Sequence, residues 1–420
     1  MEITLFAGRR KVLKGEVNLV ASKSIASRHL LIQAISGEIS ELSNFSDAED
    51  TQHLYSVLQY FLSNPYIKKE YNAGAGGTTF RFLTAYFASR PCSLVLNCTR
   101  RMSERPVGEL VNALQKLGAK IRYLKKNGFP PLAISGKKLK GGCIAIDSGI
   151  SSQFISAIMM IAPTFSDGLE LQFSGNLVSR PYIKMTAEIM QEYGIHVELN
   201  DYGCCIFPGQ YSIDSRNEKL KVEGDWSSAS YFYALASCSS AADFTLTNLN
   251  EKSNQPDAYC TQIFRLLGVD SEFKNQKIRI SKKKAPLPEE IEVDCTDCPD
   301  LAQTLAVVCS AKKIPLKLKG LSTLRSKETD RIAALQSELF KFGVFSEAGN
   351  DYLFLNPENF NISTQKISID TYDDHRMAMC FAPLALLQKQ LKIKNPEVVK
   401  KSYPDFWNAL KKIGIQSKLS

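Results

Sequence analysis

Nowhere in this 420-residue chain does an apolar run approach the length of a bilayer span; the runs around Ile155 to Ala162 and Met377 to Leu387 are far too short, since a membrane helix needs about 20 apolar residues. Met1-Glu2-Ile3-Thr4-Leu5 offers no basic segment followed by an apolar one, so a cytoplasmic, soluble protein is expected. The eleven cysteines are an odd number and do not suit a framework of paired disulfides. Reduced, mostly buried thiols are expected instead. Cys295-x-x-Cys298 has no second well-spaced pair and no histidine ligands beside it, which leaves zinc chemistry unsupported. Gly74-Ala75-Gly76-Gly77-Thr78-Thr79 lacks both the Gly-x-Gly-x-x-Gly and the Gly-Lys-Ser/Thr spacing, which excludes a Rossmann or P-loop match. Long runs of one charge are missing too, since Lys282-Lys283-Lys284 and Lys400-Lys401 are short and scattered. The net charge of +9 therefore selects no partner by itself.

What the chain does have is length, and with it a hidden periodicity. At 420 residues it exceeds one ordinary hydrophobic core, so two domains are expected. Its 44% hydrophobic and 23% charged residues are ordinary for a globular protein. One phrase recurs: Leu114 to Ile121, Met190 to Val197, Phe264 to Val269, Leu339 to Val344 and Leu410 to Ile415, with an eroded copy near Leu58 to Ile67. Each reads as a helix closed by a glycine and followed at once by a strand. The glycines at 118, 194, 268, 343 and 414 stand 76, 74, 75 and 71 residues apart, too long for a solenoid and long enough for a βαβ-containing unit. Six such units in two domains give an α/β protein, with helices inside and sheets outside or the reverse.

Charge is concentrated in two places. In Lys327-Glu328-Thr329-Asp330-Arg331 a helical reading puts Lys327 and Arg331 on one face, with Glu328 in the adjacent row. Such a run is commonly a solvated helix face. Asp374-His375-Arg376 differs, because it leads into the apolar stretch Met377 to Leu387, which must be buried. The start of that helix would offer free N–H groups to an anion near Arg376. His375, one of four histidines, reads as a positioning residue rather than a general base.

Taken in order, Ser22-Lys23-Ser24 with Arg28, Gly77-Thr78 with Arg81, Arg101-Met102 with Glu104-Arg105-Pro106, and Ser151-Ser152-Gln153-Phe154 form a distinctive series. It continues through Ser179-Arg180-Pro181-Tyr182, Gly224-Asp225 with Ser227-Ser228, Pro299-Asp300, Lys327 to Arg331, Asp374 to Met379, and Lys401 with Pro404-Asp405. Over nearly its whole length the chain resembles the enolpyruvyl transferase family, and within it the members acting on shikimate 3-phosphate. The resemblance implies a two-domain α/β fold, each domain three βαβαββ repeats forming an inside-out α/β barrel. Residues 20–222 would be one domain and residues 1–19 plus 223–420 the other, with the active site in the cleft between them.

The implied reaction transfers the enolpyruvyl group of phosphoenolpyruvate to the 5-hydroxyl of shikimate 3-phosphate and releases phosphate, with no metal or organic cofactor. Small anionic substrates, no nucleic acid or membrane partner, and a monomer are what the family implies. Shikimate 3-phosphate would meet Lys23, Ser24, Arg28, Ser151, Ser152, Gln153, Ser179, Tyr182, Asp300, Thr323 and Lys327. Phosphoenolpyruvate would meet Lys23, Gly77, Arg101, Gln153, Arg331, Arg376 and Lys401. Asp300 would be the base at the attacking hydroxyl and Glu328 the donor to the methylene carbon, with Lys23 or Lys401 sharing the proton transfer. The two substrates carry roughly five to six negative charges, which calls for a comparable set of cations. Ala21, Ala75, Phe82 and Thr323 stand where the family usually has Gly, Asn, Pro and Asn, and none of these removes a charged ligand. Phe82, beside the glycine loop, bears on the response to glyphosate, which competes with phosphoenolpyruvate in this family. Two other readings stay open. Transfer of the same group to UDP-N-acetylglucosamine is disfavoured by Ser24, where those enzymes usually have Asn. An RNA-binding or RNA-end-processing protein on a related fold would want a basic face with exposed aromatics.

Overall fold

The computed structural model describes residues 1–8, 11–40, 43–65, 69–149, 151–213, 221–362 and 367–420. The chain forms two compact units, Ser22–Val222 and Met1–Ala21 with Glu223–Ser420. Strand pairing explains why the first residues fold with the last. Glu2–Ala7 lies antiparallel between Leu391–Lys394 and Ile415–Leu419, and Val12–Asn18 pairs in parallel with Ala241–Thr247.

One supersecondary pattern is repeated. Strand Glu70–Asn72 runs through helix Gly77–Ala88 into the parallel strand Cys92–Asn97, and helix Gly108–Lys116 leads to Lys120–Tyr123. Strand Leu132–Gly136 then inserts antiparallel between these last two strands. A parallel pair needs a crossover, which the buried helix supplies, while the final two strands need only a short connection. Among the described residues five four-stranded sheets share this order. In the unit containing both termini, Ile291–Asp294, Ala302–Ala311, Leu316–Lys319, Arg331–Phe340, Phe345–Ala348 and Tyr352–Asn356 repeat it unchanged. The two N-terminal strands complete two further sheets there, so the α/β repeat architecture expected from the sequence is present.

Burial settles which layer is inside. Every residue from Trp226 to Ser237 and from Ala302 to Ser310 is buried, the signature of a helix surrounded by protein. Strands Ile291–Asp294 and Leu316–Lys319 instead alternate buried and exposed, as sheets with one face on the core must. Helices are inside and sheets outside in each unit. The five recurrent glycines each follow a helix and precede a strand, with φ between +77° and +102°. Gly343 shows why no other residue suits, because a Cβ there would also meet the Asn359 carbonyl oxygen at 2.7 Å. The eroded copy near Leu58 to Ile67 begins in helix Glu49–Ser63, but Tyr66 and Ile67 lie outside the described residues.

Candidate active site

In the unit holding both termini, the charged motifs converge on Arg331. The expected helix from Lys327 through Arg331 does not form. Lys327 is extended, with φ −82° and ψ −153°, and the Asp330 carboxylate accepts a hydrogen bond from Ala333 N at 3.1 Å, so Arg331 opens helix Arg331–Phe340. A carboxylate that satisfies a free N–H at a helix start favours a cap over another helical turn. Lys327 and Arg331 consequently do not share a helical face.

The Arg331 side chain, 2% exposed, donates from Nη1 to Asp300 Oδ1 at 2.8 Å, from Nη2 to Glu328 Oε2 at 2.9 Å and from Nε to Asp374 Oδ2 at 2.7 Å. Arg376 donates from Nη2 to the other Asp300 oxygen at 2.7 Å and to Ser227 Oγ at 3.3 Å, and from Nη1 to the Tyr231 hydroxyl at 3.3 Å. Lys401 Nζ lies 2.9 Å from Glu328 Oε1. Asp300 thus bridges two guanidinium groups, and Glu328 bridges Arg331 to Lys401.

Asp374 also caps helix His375–Cys380, accepting from Arg376 N at 2.8 Å. The helix start expected to receive an anion is therefore already occupied by the protein's own carboxylate, and Arg376 is left to act through its side chain. His375 is buried beside it, with Nδ1 3.5 Å from Asp374 Oδ1. The apolar stretch beyond is buried from Met377 to Leu386, as expected.

This arrangement sets the charge states. Burial works to raise the Asp300 carboxyl, but Arg376, Lys327 and Arg331 outweigh it and hold it well below the usual carboxylate range. Burial opposes the charge on both arginines as well. For Arg331 it is overcome mainly by Asp374, Glu328 and Asp300, and for Arg376 mainly by Asp300, so both guanidinium groups stay charged.

In the unit Ser22–Val222 the expected ligands cluster at helix starts. Lys23 and Ser24 open helix Lys23–Ser36, capped by Ser22, and Lys23 Nζ pairs with Asp50 Oδ2 at 2.9 Å. Ser152 and Gln153 open helix Ser152–Ile161, where Ser151 Oγ accepts from Gln153 N at 3.3 Å. Ser179, in the left-handed region at φ 55°, precedes helix Arg180–Glu192, which carries Tyr182 in its first turn. Gly77 opens helix Gly77–Ala88, which has no side-chain cap. Free N–H groups and the positive end of the dipole at such positions favour phosphate and carboxylate oxygens.

Arg28 braces three of these helices. It donates to Thr186 Oγ1 at 2.7 Å, Ser24 O at 2.8 Å, Ser156 Oγ at 3.1 Å and Tyr182 O at 3.2 Å. Burial lowers its pKa to about 10, which leaves it charged near neutrality. Gln153 joins two helices, accepting from Arg81 Nη1 and donating to Thr78 Oγ1 at 2.9 Å. A Cβ on Gly77 would meet the Arg105 guanidinium at 2.8 Å, so the glycine lets that buried group lie against the helix start. Arg101, by contrast, is half exposed and pairs with Glu104 Oε2 at 3.0 Å. Thr323 presents a buried Oγ1 with no hydrogen-bond partner among the described residues. Cys98, a half-buried thiol three residues before Arg101, is pushed up to about 11 by burial, so it is not a thiolate at neutral pH.

Several participants carried no role in the sequence reading: Arg105, Asp374, Asp50 and Ser227. A cap-type residue just before a buried run could have flagged Asp374, and Gly77 opposite a buried arginine is visible only in three dimensions. Among the described residues no three His, Cys, Asp or Glu side chains are grouped to hold a metal ion, and no helix is long and apolar enough to cross a membrane.

Comparison with known proteins gives a consistent result. A family model described as EPSP synthase (3-phosphoshikimate 1-carboxyvinyltransferase) matches residues 8–410. A curated protein from Bacteroides fragilis (strain YCH46), named 3-phosphoshikimate 1-carboxyvinyltransferase, is 41% identical over 409 residues, covering 97% of each chain. A protein of the same name from Pseudoalteromonas translucida (strain TAC 125) is 35% identical over 418 residues, covering 95% of this chain and 96% of its own. The solved structure of EPSP synthase from Acinetobacter baumannii matches the whole of both chains with a TM-score of 0.78 at 19% identity, a likeness of fold.

Proposed function

The chain belongs to the EPSP synthase (3-phosphoshikimate 1-carboxyvinyltransferase) family, a transferase moving the enolpyruvyl group of phosphoenolpyruvate to the 5-hydroxyl of shikimate 3-phosphate, and we propose that the two clusters above carry that reaction. The observation that carries the assignment of roles is Asp300 held between the Arg331 and Arg376 guanidinium groups. It pairs a carboxylate suited to accept a proton with two cations suited to an anionic substrate.

Shikimate 3-phosphate is assigned Lys23, Ser24, Arg28, Ser151, Ser152, Gln153, Ser179, Tyr182, Thr323 and Lys327. Its attacking hydroxyl is assigned to Asp300. Phosphoenolpyruvate is assigned Lys23, Gly77, Gln153, Arg331, Arg376 and Lys401, joined by Arg105 in preference to the half-exposed Arg101. In the addition step the 5-hydroxyl oxygen bonds to C2 of phosphoenolpyruvate as its proton passes to Asp300 and C3 takes a proton from Glu328. Elimination then breaks the C2–O bond to phosphate as Glu328 takes a proton back from C3 and the proton held by Asp300 leaves with the phosphate, so the enol ether forms with no net change of oxidation state.

Asp300, held below the ordinary carboxylate range by its cations, is a weak base in this arrangement. An anionic substrate that draws Arg331 and Arg376 toward itself would weaken that hold and raise the basicity of Asp300 as the hydroxyl needs it. Glu328 must be protonated to act as donor, and Lys401 at 2.9 Å is the group placed to recharge it. The proposed setting is the cytoplasm, with a monomer acting on small anions and no nucleic acid. All eleven cysteines are free thiols, which suits a reducing compartment.

The function is tested by phosphate release from phosphoenolpyruvate with either shikimate 3-phosphate or UDP-N-acetylglucosamine, with the product identified by mass. Release with the shikimate ester alone is expected, and release only with the sugar nucleotide would overturn the substrate. Lys401→Ala should raise KM for phosphoenolpyruvate about tenfold or more while KM for shikimate 3-phosphate moves far less, as loss of one charge-assisted contact predicts. Equal changes in both would remove Lys401 from its assigned place. Arg105→Ala should cost phosphoenolpyruvate binding about tenfold or more and Arg101→Ala only about twofold; the reverse order in the two KM values would restore Arg101 to the site.

A further inference from the structure

Behind Arg376 lies a carboxyl group with no part in the chemistry assigned so far. Asp257, in the 3-10 turn Pro256–Tyr259, is 1% exposed. Its Oδ2 accepts a hydrogen bond from Ser227 Oγ, and its Oδ1 has no partner among the described residues. Ser227 Oγ in turn accepts from Arg376 Nη2 at 3.3 Å. The result is a directed chain from guanidinium to hydroxyl to carboxyl, running beside the shorter bond from the same Nη2 to Asp300 Oδ2 at 2.7 Å.

The chain is anchored at both ends. Ser227 N is bound by Asp225 Oδ1 at 3.0 Å at the start of helix Trp226–Cys238. Gln255, two residues before Asp257, accepts from Trp226 N at 3.2 Å and donates to Gly224 O at 2.8 Å. The turn bearing Asp257 and the helix bearing Ser227 are thereby locked together, so a shift of Asp257 is felt at Arg376.

We propose that Asp257 is a positioning residue for phosphoenolpyruvate binding, fixing through the Ser227 hydroxyl the Arg376 guanidinium that the substrate's anionic group meets. The inference rests on the assignment of Arg376 to phosphoenolpyruvate made above.

The surroundings of Asp257 add a charge-dependent part. It faces Asp225 at the helix start, Asp300, Arg376, and the thiols of Cys260 and Cys298. Burial, with Asp300 adding to it, pushes its carboxyl up to about 7 against the opposing pull of Arg376 and Ser227. Near neutrality Asp257 therefore changes charge. Once ionised it competes with the substrate for the positive charge of Arg376, so affinity for phosphoenolpyruvate falls as pH rises through that point.

Three variants test this: Ser227→Ala breaks the bridge, Asp257→Asn keeps the shape but cannot ionise, and Arg376→Ala is the reference. The readout is KM for each substrate between about pH 5.5 and pH 8.5, with melting temperature checked for every variant. Ser227→Ala should raise KM for phosphoenolpyruvate about three- to tenfold and leave KM for shikimate 3-phosphate unchanged. The wild-type to Asp257→Asn ratio of KM for phosphoenolpyruvate cancels the substrate's own titration, and it should climb from about 1 to about 3 or more across the range. A flat ratio, or a Ser227→Ala effect equal for both substrates, overturns the inference. If Arg376→Ala weakens phosphoenolpyruvate while Ser227→Ala does nothing, this inference alone falls. An Arg376→Ala protein with unchanged KM for phosphoenolpyruvate overturns the underlying assignment and this inference with it.

Discussion

Asp300→Asn is expected to lower kcat by about a thousandfold, the scale of a lost general base, while KM for shikimate 3-phosphate stays within about threefold. The substitution is nearly isosteric, and the amide oxygen can still accept from one of the two arginines. The amide nitrogen then faces the other guanidinium, so one charge-assisted bond of 2.7 or 2.8 Å is lost. That loss acts on binding in a direction opposite to its action on turnover. With one negative charge removed from between Arg331 and Arg376, both cations are easier for an anionic substrate to claim. KM for phosphoenolpyruvate should therefore hold or fall. Steady-state phosphate release, with each substrate varied in turn, separates these effects. A variant that keeps full turnover would end the assignment of Asp300 as base. A variant in which both KM values rise together would show that Asp300 organises the site rather than acts in it.

The repeat was legible because it is written in local chemistry. A glycine closing a helix before a strand leaves the same trace five times, and all five glycines have the left-handed φ that the phrase implies. The layer order was legible only through the family resemblance, not in the residues themselves. A helix buried on every side, such as Trp226–Cys238, has no polar stripe to point outward, and its neighbours are set by contacts the sequence does not display.

The same divide runs through the site. Charged residues close in sequence to buried segments stand out locally, yet the charge spacing of Lys327 to Arg331 does not predict its conformation, because the Asp330 carboxylate caps a helix that starts only at Arg331. Partners distant along the chain stayed hidden. Arg331 reaches Asp374 across 43 positions and Arg376 reaches Ser227 across 149, and no local pattern encodes either approach. Asp257 is the extreme case, a carboxylate in an unremarkable turn whose significance comes entirely from what surrounds it.

Arg331→Met should produce the largest loss of stability of any substitution in the site. The side chain is 2% exposed, and the three carboxylates it serves, Asp300, Glu328 and Asp374, are 17%, 12% and 0% exposed. Methionine fills much the same volume but leaves these anions facing one another without their shared cation. Breaking a buried pair from one side costs about 3–5 kcal/mol, which in a unit of roughly 200 residues lowers Tm by about 6–20 °C. The pH dependence distinguishes lost charge from lost packing. In the native protein the Asp300 carboxyl is held down by Arg376, Lys327 and Arg331 against the effect of burial. Stabilisation from that depression is present above the ordinary carboxylate range of about pH 4 and is lost as pH falls toward the lowered value. Removing Arg331 relaxes the depression, so protonating Asp300 becomes easier in the variant. The gap in Tm between native protein and variant should thus be at full size above about pH 4 and narrow as pH falls below it toward the lowered value. Calorimetry across that range decides the matter. A gap that stays constant with pH would mean that Arg331 supports the fold through its packing, and that the three carboxylates tolerate one another without it.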